Sequence, residues 1–141
     1  MEVRPQLVID GSVTLAWSLA DENSAYAARV LDYLIDRQAA VPAVWLLEVA
    51  NGLLMAERRG RSTQADTAEA IEALRGVPIM VEEPSFDRAF GEVLRLARER
   101  RLSAYDAAYL ELAMREGLPL ATLDVRLAEA AHAVGVVVFV R

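Results

Sequence analysis

Gln6-Leu7-Val8-Ile9-Asp10-Gly11-Ser12 is the stretch that decides the fold. An apolar, β-branched run ends abruptly in an acid, and Gly-Ser breaks it. Such a run reads as a short strand covered on both faces. Val13 to Ala20 then reads as a short helix. The same order recurs along the chain. Ser24 is an N-cap signal for a helix running to about Gln38, and Ala40-Val41 is a short strand stopped by Pro42. Val44 to Arg59 is a predicted helix with Gly60 behind it, Thr63 to Arg75 another ended by Gly76, and Ile79 to Val81 a strand.

Ser85 opens a helix whose apolar positions, Phe86, Ala89, Phe90, Val93, Leu94 and Ala97, recur at helical spacing opposite Asp87, Glu92 and Arg95. That pattern predicts a core-packing helix without chemistry. Ser103 to Glu116 is a helix closed by Gly117, Leu118 to Thr122 a strand, Asp124 to Val134 a helix closed by Gly135, and Val136 to Val140 a final apolar strand. Strands alternating with helices imply parallel pairing with crossover helices on both faces. The expected architecture is α/β: one three-layer α/β/α domain over residues 1–141, with a mainly parallel central sheet of about five strands. In such sheets ligands gather outside the carboxyl ends of the strands.

Composition narrows the chemistry. With 55% hydrophobic residues in 141, the chain can build a full core without staples. Cysteine is absent, so there is no disulfide, thiolate zinc site or Cys nucleophile. His132 is the one histidine, which disfavours a Ser-His-Asp triad; it reads as incidental. All 15 basic residues are arginine; without lysine there is no P-loop and no Schiff base. The formal charge of −6 offers no overall attraction to nucleic acid, so a polyanionic partner would need a local change of sign. Met1 to Pro5 lack the pattern of a secretory leader, and the apolar stretch from Val41 to Met55 is interrupted by Glu48 and Asn51. The expectation is a cytoplasmic protein with no membrane partner.

Most of the 21 acids fall on polar faces, but four do not. Asp10 and Asp124 end predicted strands, at the edge where a crevice belongs. Asp106 shares a helix face with Tyr109, Leu110 and Ala113, whereas Glu111 and Arg115 read as an outward i, i+4 pair. Glu48 is embedded in an almost wholly apolar helix, with Asn51 one turn on. Each has a local reading: an Asx turn for Asp10, an N-cap for Asp124, a near capping box from Ser103 to Asp106, and a snorkelling Glu48. None of these explains why a parallel sheet would bring all four to one edge. Two carboxylates ~5 Å apart at an effective dielectric of ~20 repel by about 3 kcal/mol. Clustered acids therefore raise one another's pKa or recruit a cation. Oxygen-only ligands select hard ions, Mg²⁺ or Mn²⁺, which hold phosphate oxygens and activate water for in-line displacement. Bound metal would also supply the missing local change of sign.

The same residues carry a resemblance to the PIN-domain nucleases, most closely the VapC-type toxins of toxin–antitoxin pairs. The matching pieces are Val8-Ile9-Asp10-Gly11-Ser12-Val13, Glu48-Val49-Ala50-Asn51, Leu102 through Tyr109 around Asp106, and Thr122-Leu123-Asp124-Val125-Arg126-Leu127. They stand in family order and span nearly the whole chain. The resemblance implies that Asp10, Glu48, Asp106 and Asp124 are the catalytic and metal-holding acids, with Asp10 and Asp106 as direct Mg²⁺ ligands. It implies supporting roles for Ser12, Asn51 and Thr122. Leu123 stands where a small residue is common. The implied activity is metal-dependent endoribonuclease cleavage of RNA, using Mg²⁺ with Mn²⁺ able to substitute, inhibited by a cognate antitoxin in a protein that forms a homodimer.

Arg100, Arg101 and Arg126 flank these acids and read either as phosphate contacts or as solvated helix ends. Arg58, Arg59 and Arg61 form a basic turn, and Trp17 and Trp45 fit either the core or an apolar groove for an antitoxin helix. Tyr105 and Tyr109 read as core neighbours of the site. A phosphatase reading of Asp10-Gly-Ser-Val-Thr14 fails because Ser12 stands where a second Asp is needed and lysine is absent. Two alternatives stay open: a PIN nuclease with a housekeeping role in RNA processing, and a catalytically idle PIN-like module that binds RNA or protein.

Overall fold

A computed structural model describes residues 4–140. Met1 to Val3, on which part of the leader reading falls, and Arg141 lie outside the described residues. The strands are β1 (Pro5–Ile9), β2 (Gln38–Pro42), β3 (Ile79–Glu82) and β4 (Leu120–Ala121). Every pairing is parallel, in the order β3-β2-β1-β4. The helices are α1 (Gly11–Ser18), α2 (Ala25–Tyr33), α3 (Val44–Arg58), α4 (Gln64–Arg75), α5 (Phe86–Arg88), α6 (Leu94–Arg100), α7 (Ala104–Glu116) and α8 (Val125–Ala133). A π turn at Ala89–Val93 joins α5 to α6.

The central strand is the most apolar: Leu7, Val8 and Ile9 are fully buried. Helices α2, α3 and α4 pack on α1, while α7 lies on β1 and β2 and against α6 and α8, so the sheet is flanked by helices as expected. Side-chain caps start α2 at Ser24, α4 at Thr63, α5 at Ser85 and α7 at Ser103. Helix α1 begins with no intervening loop, its cap supplied by the last residue before it, Asp10. Gly52 lets α3 close on α1; a Cβ there would meet Leu15 Cδ1 at 2.4 Å.

Four features differ from the sequence reading. The sheet has four strands, because Val136–Val140 forms only one parallel bridge, Leu120↔Val138. Its would-be partner β4 is two residues long, leaving little ladder to extend, and the Phe139 carbonyl also accepts from the Tyr26 hydroxyl. The α2 helix stops at Tyr33 rather than near Gln38. The stripe opened by Ser85 is not all core: Val93 and Leu96 are buried, but Phe86 and Phe90 are 77% and 66% exposed and pack on each other. Helical period chooses a face and cannot say whether a partner covers it. The Glu111–Arg115 pair forms at 2.8 Å but faces inward, with Glu111 8% exposed. Arg115 also bonds Glu82 at the end of β3, tying α7 to the sheet.

Arg115→Ala should cost about 2 kcal/mol, because it leaves Glu111 buried without its cation; the value is discounted for the partial exposure of Arg115. Urea unfolding followed by circular dichroism measures it, and a loss below about 0.5 kcal/mol would assign the pair to the solvated surface.

Candidate functional site

All four strands run the same way, so Asp10, which follows β1, and Thr122, which follows β4, emerge at one end of neighbouring strands. The Asp10 carboxylate is buried and fully engaged. Oδ1 accepts from the Ser12 hydroxyl at 2.6 Å and the Val13 N–H at 3.2 Å, and Oδ2 accepts from the Thr122 hydroxyl at 2.5 Å. Ser12 Oγ in turn accepts from the Leu123 N–H at 2.9 Å, and Thr122 Oγ1 from the Asp124 N–H at 2.9 Å. The two hydroxyls thus stitch the start of α1 to the turn that leads into α8.

Asp124 caps α8 through one oxygen, Oδ1, which accepts from Arg126 and Leu127 N–H groups. Among the described residues no hydrogen bond takes up its other oxygen. Asp106 sits in the first turn of α7, where Ser103 caps its N–H at 3.0 Å. Thr63 and Asp66 carry the same spacing and form a complete capping box, the Asp66 carboxylate reaching back to the Thr63 N–H at 3.0 Å. At α7 that return bond is missing, so the Asp106 carboxylate is not used for capping.

Glu48 projects from α3 against the start of α1. Its Oε2 lies 3.3 Å from where a Cβ on Gly11 would be, so the glycine admits the carboxylate beside Asp10. A buried strut supports this approach. The Trp45 indole N–H donates to Thr14 Oγ1 at 2.9 Å, and the Thr14 hydroxyl donates to the Asp10 carbonyl at 3.0 Å. Trp45 is thereby a core residue and also lines an apolar groove between α3, α4 and β3.

The acids sense one another. Burial pushes the Asp10, Glu48 and Asp106 carboxyls above the usual range. Charge adds to this: Asp106 acts on Asp10, both Asp106 and Asp10 act on Glu48, and Asp124 acts on Asp106. Arg126 is the cation that offsets Asp106, and its guanidinium donates to the Arg101 carbonyl at 2.9 Å. Arg101 holds a left-handed φ of 54°, which ends α6 just ahead of this contact.

As the side chains stand, no three His, Asp or Glu groups among the described residues close into a ready metal cage. Asp10 points its oxygens at donors of its own chain. The donor set nonetheless fits a hard divalent cation. It is all oxygen and carries excess negative charge out of water, and Glu48 Oε1 is buried with no hydrogen-bond partner.

The pieces that the sequence singled out therefore meet unevenly. Asp10, Glu48, Asp106 and Asp124 are electrostatically joined, and Ser12 and Thr122 bond Asp10 directly. Asn51 is exposed and takes no part in this hydrogen-bond network. Tyr109 is buried at the site, but Tyr105 is 63% exposed, contrary to its reading as a core neighbour. Arg61 is bound to Asp21 and Glu22, whereas Arg58 and Arg59 lie exposed. Sequence reading treated Thr14 only within a failed phosphatase pattern and missed its bond to Asp10; a threonine among apolar neighbours in α1 was the available signal.

A family model for the PIN domain matches residues 7–133. The chain belongs to the PIN-domain family. It is 37% identical over 137 residues to ribonuclease VapC3 of Mycobacterium tuberculosis, covering 92% of this chain and 93% of that protein. It is 31% identical over 124 residues to ribonuclease VapC3 of Pyrobaculum aerophilum, covering 88% and 93%. Among solved structures it resembles PAE2754 of Pyrobaculum aerophilum, with a TM-score of 0.68 at 26% identity over 89% of this chain and 84% of that one. This PIN chain therefore has VapC ribonucleases as full-length relatives.

The raised carboxyls predict a pH-dependent cost in this PIN domain. A carboxyl raised on folding contributes stability that is complete below its unfolded value, 3.8 for aspartate, and is lost as pH rises through the folded value. In chelator, Asp106→Asn should raise Tm by on the order of 3 °C at neutral pH, and the gain should vanish as pH falls below the ordinary aspartate range. A thermal-melt series across pH checks this; a gain that is independent of pH would locate the effect elsewhere.

Proposed function

We propose that the protein is a divalent-metal-dependent endoribonuclease, the toxin of a toxin–antitoxin pair, with RNA as substrate. The observation that carries the reading is the coupling of four acids at one end of a parallel sheet, with Arg126 as the cation that offsets one of them. Asp10, Glu48, Asp106 and Asp124 would hold Mg²⁺, with Mn²⁺ as a substitute. Bound there, the ion supplies neutralisation of the phosphodiester charge and activation of the attacking water.

The chain's own residues set the geometry. Ser12 and Thr122 hold both oxygens of Asp10, which fixes the carboxylate plane without a rotamer search. The Thr14–Trp45 strut sets α3, and with it Glu48, relative to the Asp10 backbone. Asp124 keeps one oxygen outside its cap. Arg126 places positive charge beside Asp106, where an RNA phosphate would approach. Asn51, exposed on α3, is left to act on bound RNA rather than on the carboxylates.

The partners are read from apolar surface. The groove between α3, α4 and β3 is about 550 Å³ and includes Leu46, Val49, Leu53, Ile71 and Val81. It suits the apolar face of a helix from a cognate antitoxin. The stacked, exposed Phe86–Phe90 pair is a separate patch that supports a homodimer. Among the described residues no helix is long and apolar enough to cross a membrane, and a cytoplasmic location fits an RNA substrate.

Purified protein should cleave structured RNA with Mg²⁺ or Mn²⁺ and not with EDTA. Asp10→Asn and Asp106→Asn should each lower the rate at least about a hundredfold. Cleavage persisting in chelator, or in both variants, rules the mechanism out.

A further inference from the structure

Tyr109 and Glu48 carry the two buried side-chain polar atoms, among the described residues, that have no hydrogen-bond partner: the Tyr109 hydroxyl and Glu48 Oε1. Tyr109 is 0% exposed and lies on α7 one turn after Asp106. A phenol enclosed in this way normally finds an acceptor, because leaving it unmade forfeits its hydration for nothing. Phenylalanine would fill the same space without that cost.

The neighbours show which acceptor the hydroxyl serves. Asp10 has the Ser12, Val13 and Thr122 donors, Asp124 has two N–H groups of α8, and Asp106 has Arg126 beside it. Glu48 has no cation beside it, and Tyr109 is the donor within its reach. A tyrosine hydroxyl carries its proton at neutral pH and so is available as a donor. The two groups lie close enough to act on each other, though neither the Tyr109 hydroxyl nor Glu48 Oε1 has a hydrogen-bond partner of good geometry.

We propose that Tyr109 is a positioning residue: its hydroxyl donates to the Glu48 carboxylate and holds it turned toward Asp10 and Asp106 when a divalent cation is bound. This inference rests on the metal-dependent reading above. It assigns the unpaired hydroxyl to a state in which Glu48 is drawn into coordination, and it explains a tyrosine where packing alone would accept phenylalanine. A cost to the metal-free fold is the expected mark of a group retained for binding.

The test uses the full chain as wild type, Tyr109→Phe, Glu48→Gln and the double variant. Three quantities are read: Tm in EDTA, Mn²⁺ affinity by calorimetry, and RNA cleavage across a Mn²⁺ titration. Tyr109→Phe should melt at or above the wild-type temperature in EDTA while binding Mn²⁺ about tenfold more weakly. Its cleavage should recover as Mn²⁺ is raised. The double variant should bind Mn²⁺ no more weakly than Glu48→Gln alone, since both act through one carboxylate. Wild-type affinity in Tyr109→Phe overturns the inference, as does a loss of affinity that comes with a lowered Tm or that multiplies with the Glu48→Gln effect. If the wild type itself binds no Mn²⁺, the metal-dependent reading falls and this inference with it; if the wild type binds and only the tyrosine proves silent, the reading stands and the inference alone fails.

Discussion

The carboxylate of Asp10 is removed from water at the point where β1 becomes α1, and three donors from its own chain hold it there. Burial penalises the charged form and the hydrogen bonds favour it; burial wins, and the nearby Asp106 charge adds to the imbalance. Moving Asp10 into water would require breaking the Ser12 and Thr122 bonds, and with them the link from α1 to the turn before α8. The strain is therefore built into the scaffold. A proton or a bound cation would each relieve it.

The topology explains why the imbalance collects in one place. Parallel strands deliver their C-terminal ends to a common edge, and helices return the chain to the opposite one. Asp10 and Thr122 meet because β1 and β4 are neighbours. Glu48 arrives from α3 through the approach that Gly11 permits and the Thr14–Trp45 strut fixes. Asp106 arrives because Ser103 caps α7 alone and the aspartate does not answer. Each arrival has a separate local cause, which is why no one motif in the chain carries the site by itself.

The parts of the molecule that could be read from sequence are those decided locally. Leu7-Val8-Ile9 is apolar enough to be central in any sheet, and Ser24, Thr63, Ser85 and Ser103 announce helix starts because capping depends on residues three apart. The four acids stood out because each broke a local pattern. What could not be read depends on partners distant in the chain. Val136–Val140 is as apolar as a strand, but its ladder is limited by the two residues of β4. Phe86 and Phe90 have helical spacing yet stay mostly exposed, packed on each other. Glu111 looked outward because an i, i+4 arginine signals pairing without revealing that Glu82 waits on the sheet side. The missing partner of the Tyr109 hydroxyl is invisible for the same reason, since satisfaction is a property of the surroundings.

If the proposed function holds, an acidic protein must attract a polyanion, and the placement of its charges bears on how. Arg61 and Arg95 are consumed by exposed carboxylates and Arg115 by Glu111 and Glu82, so their charges are largely offset where they stand. The arginine next to the acids is Arg126, anchored through the Arg101 carbonyl. One guanidinium cannot reverse four carboxylates. A divalent cation placed among them would, together with Arg126, offset three of the four charges, and it would act over a few ångströms in a poorly hydrated site while the rest of the acidic surface is screened beyond about 8 Å at physiological salt. On the proposed function, attraction of a phosphodiester would then be confined to the metal-loaded site, and the overall negative charge would reject polyanions everywhere else.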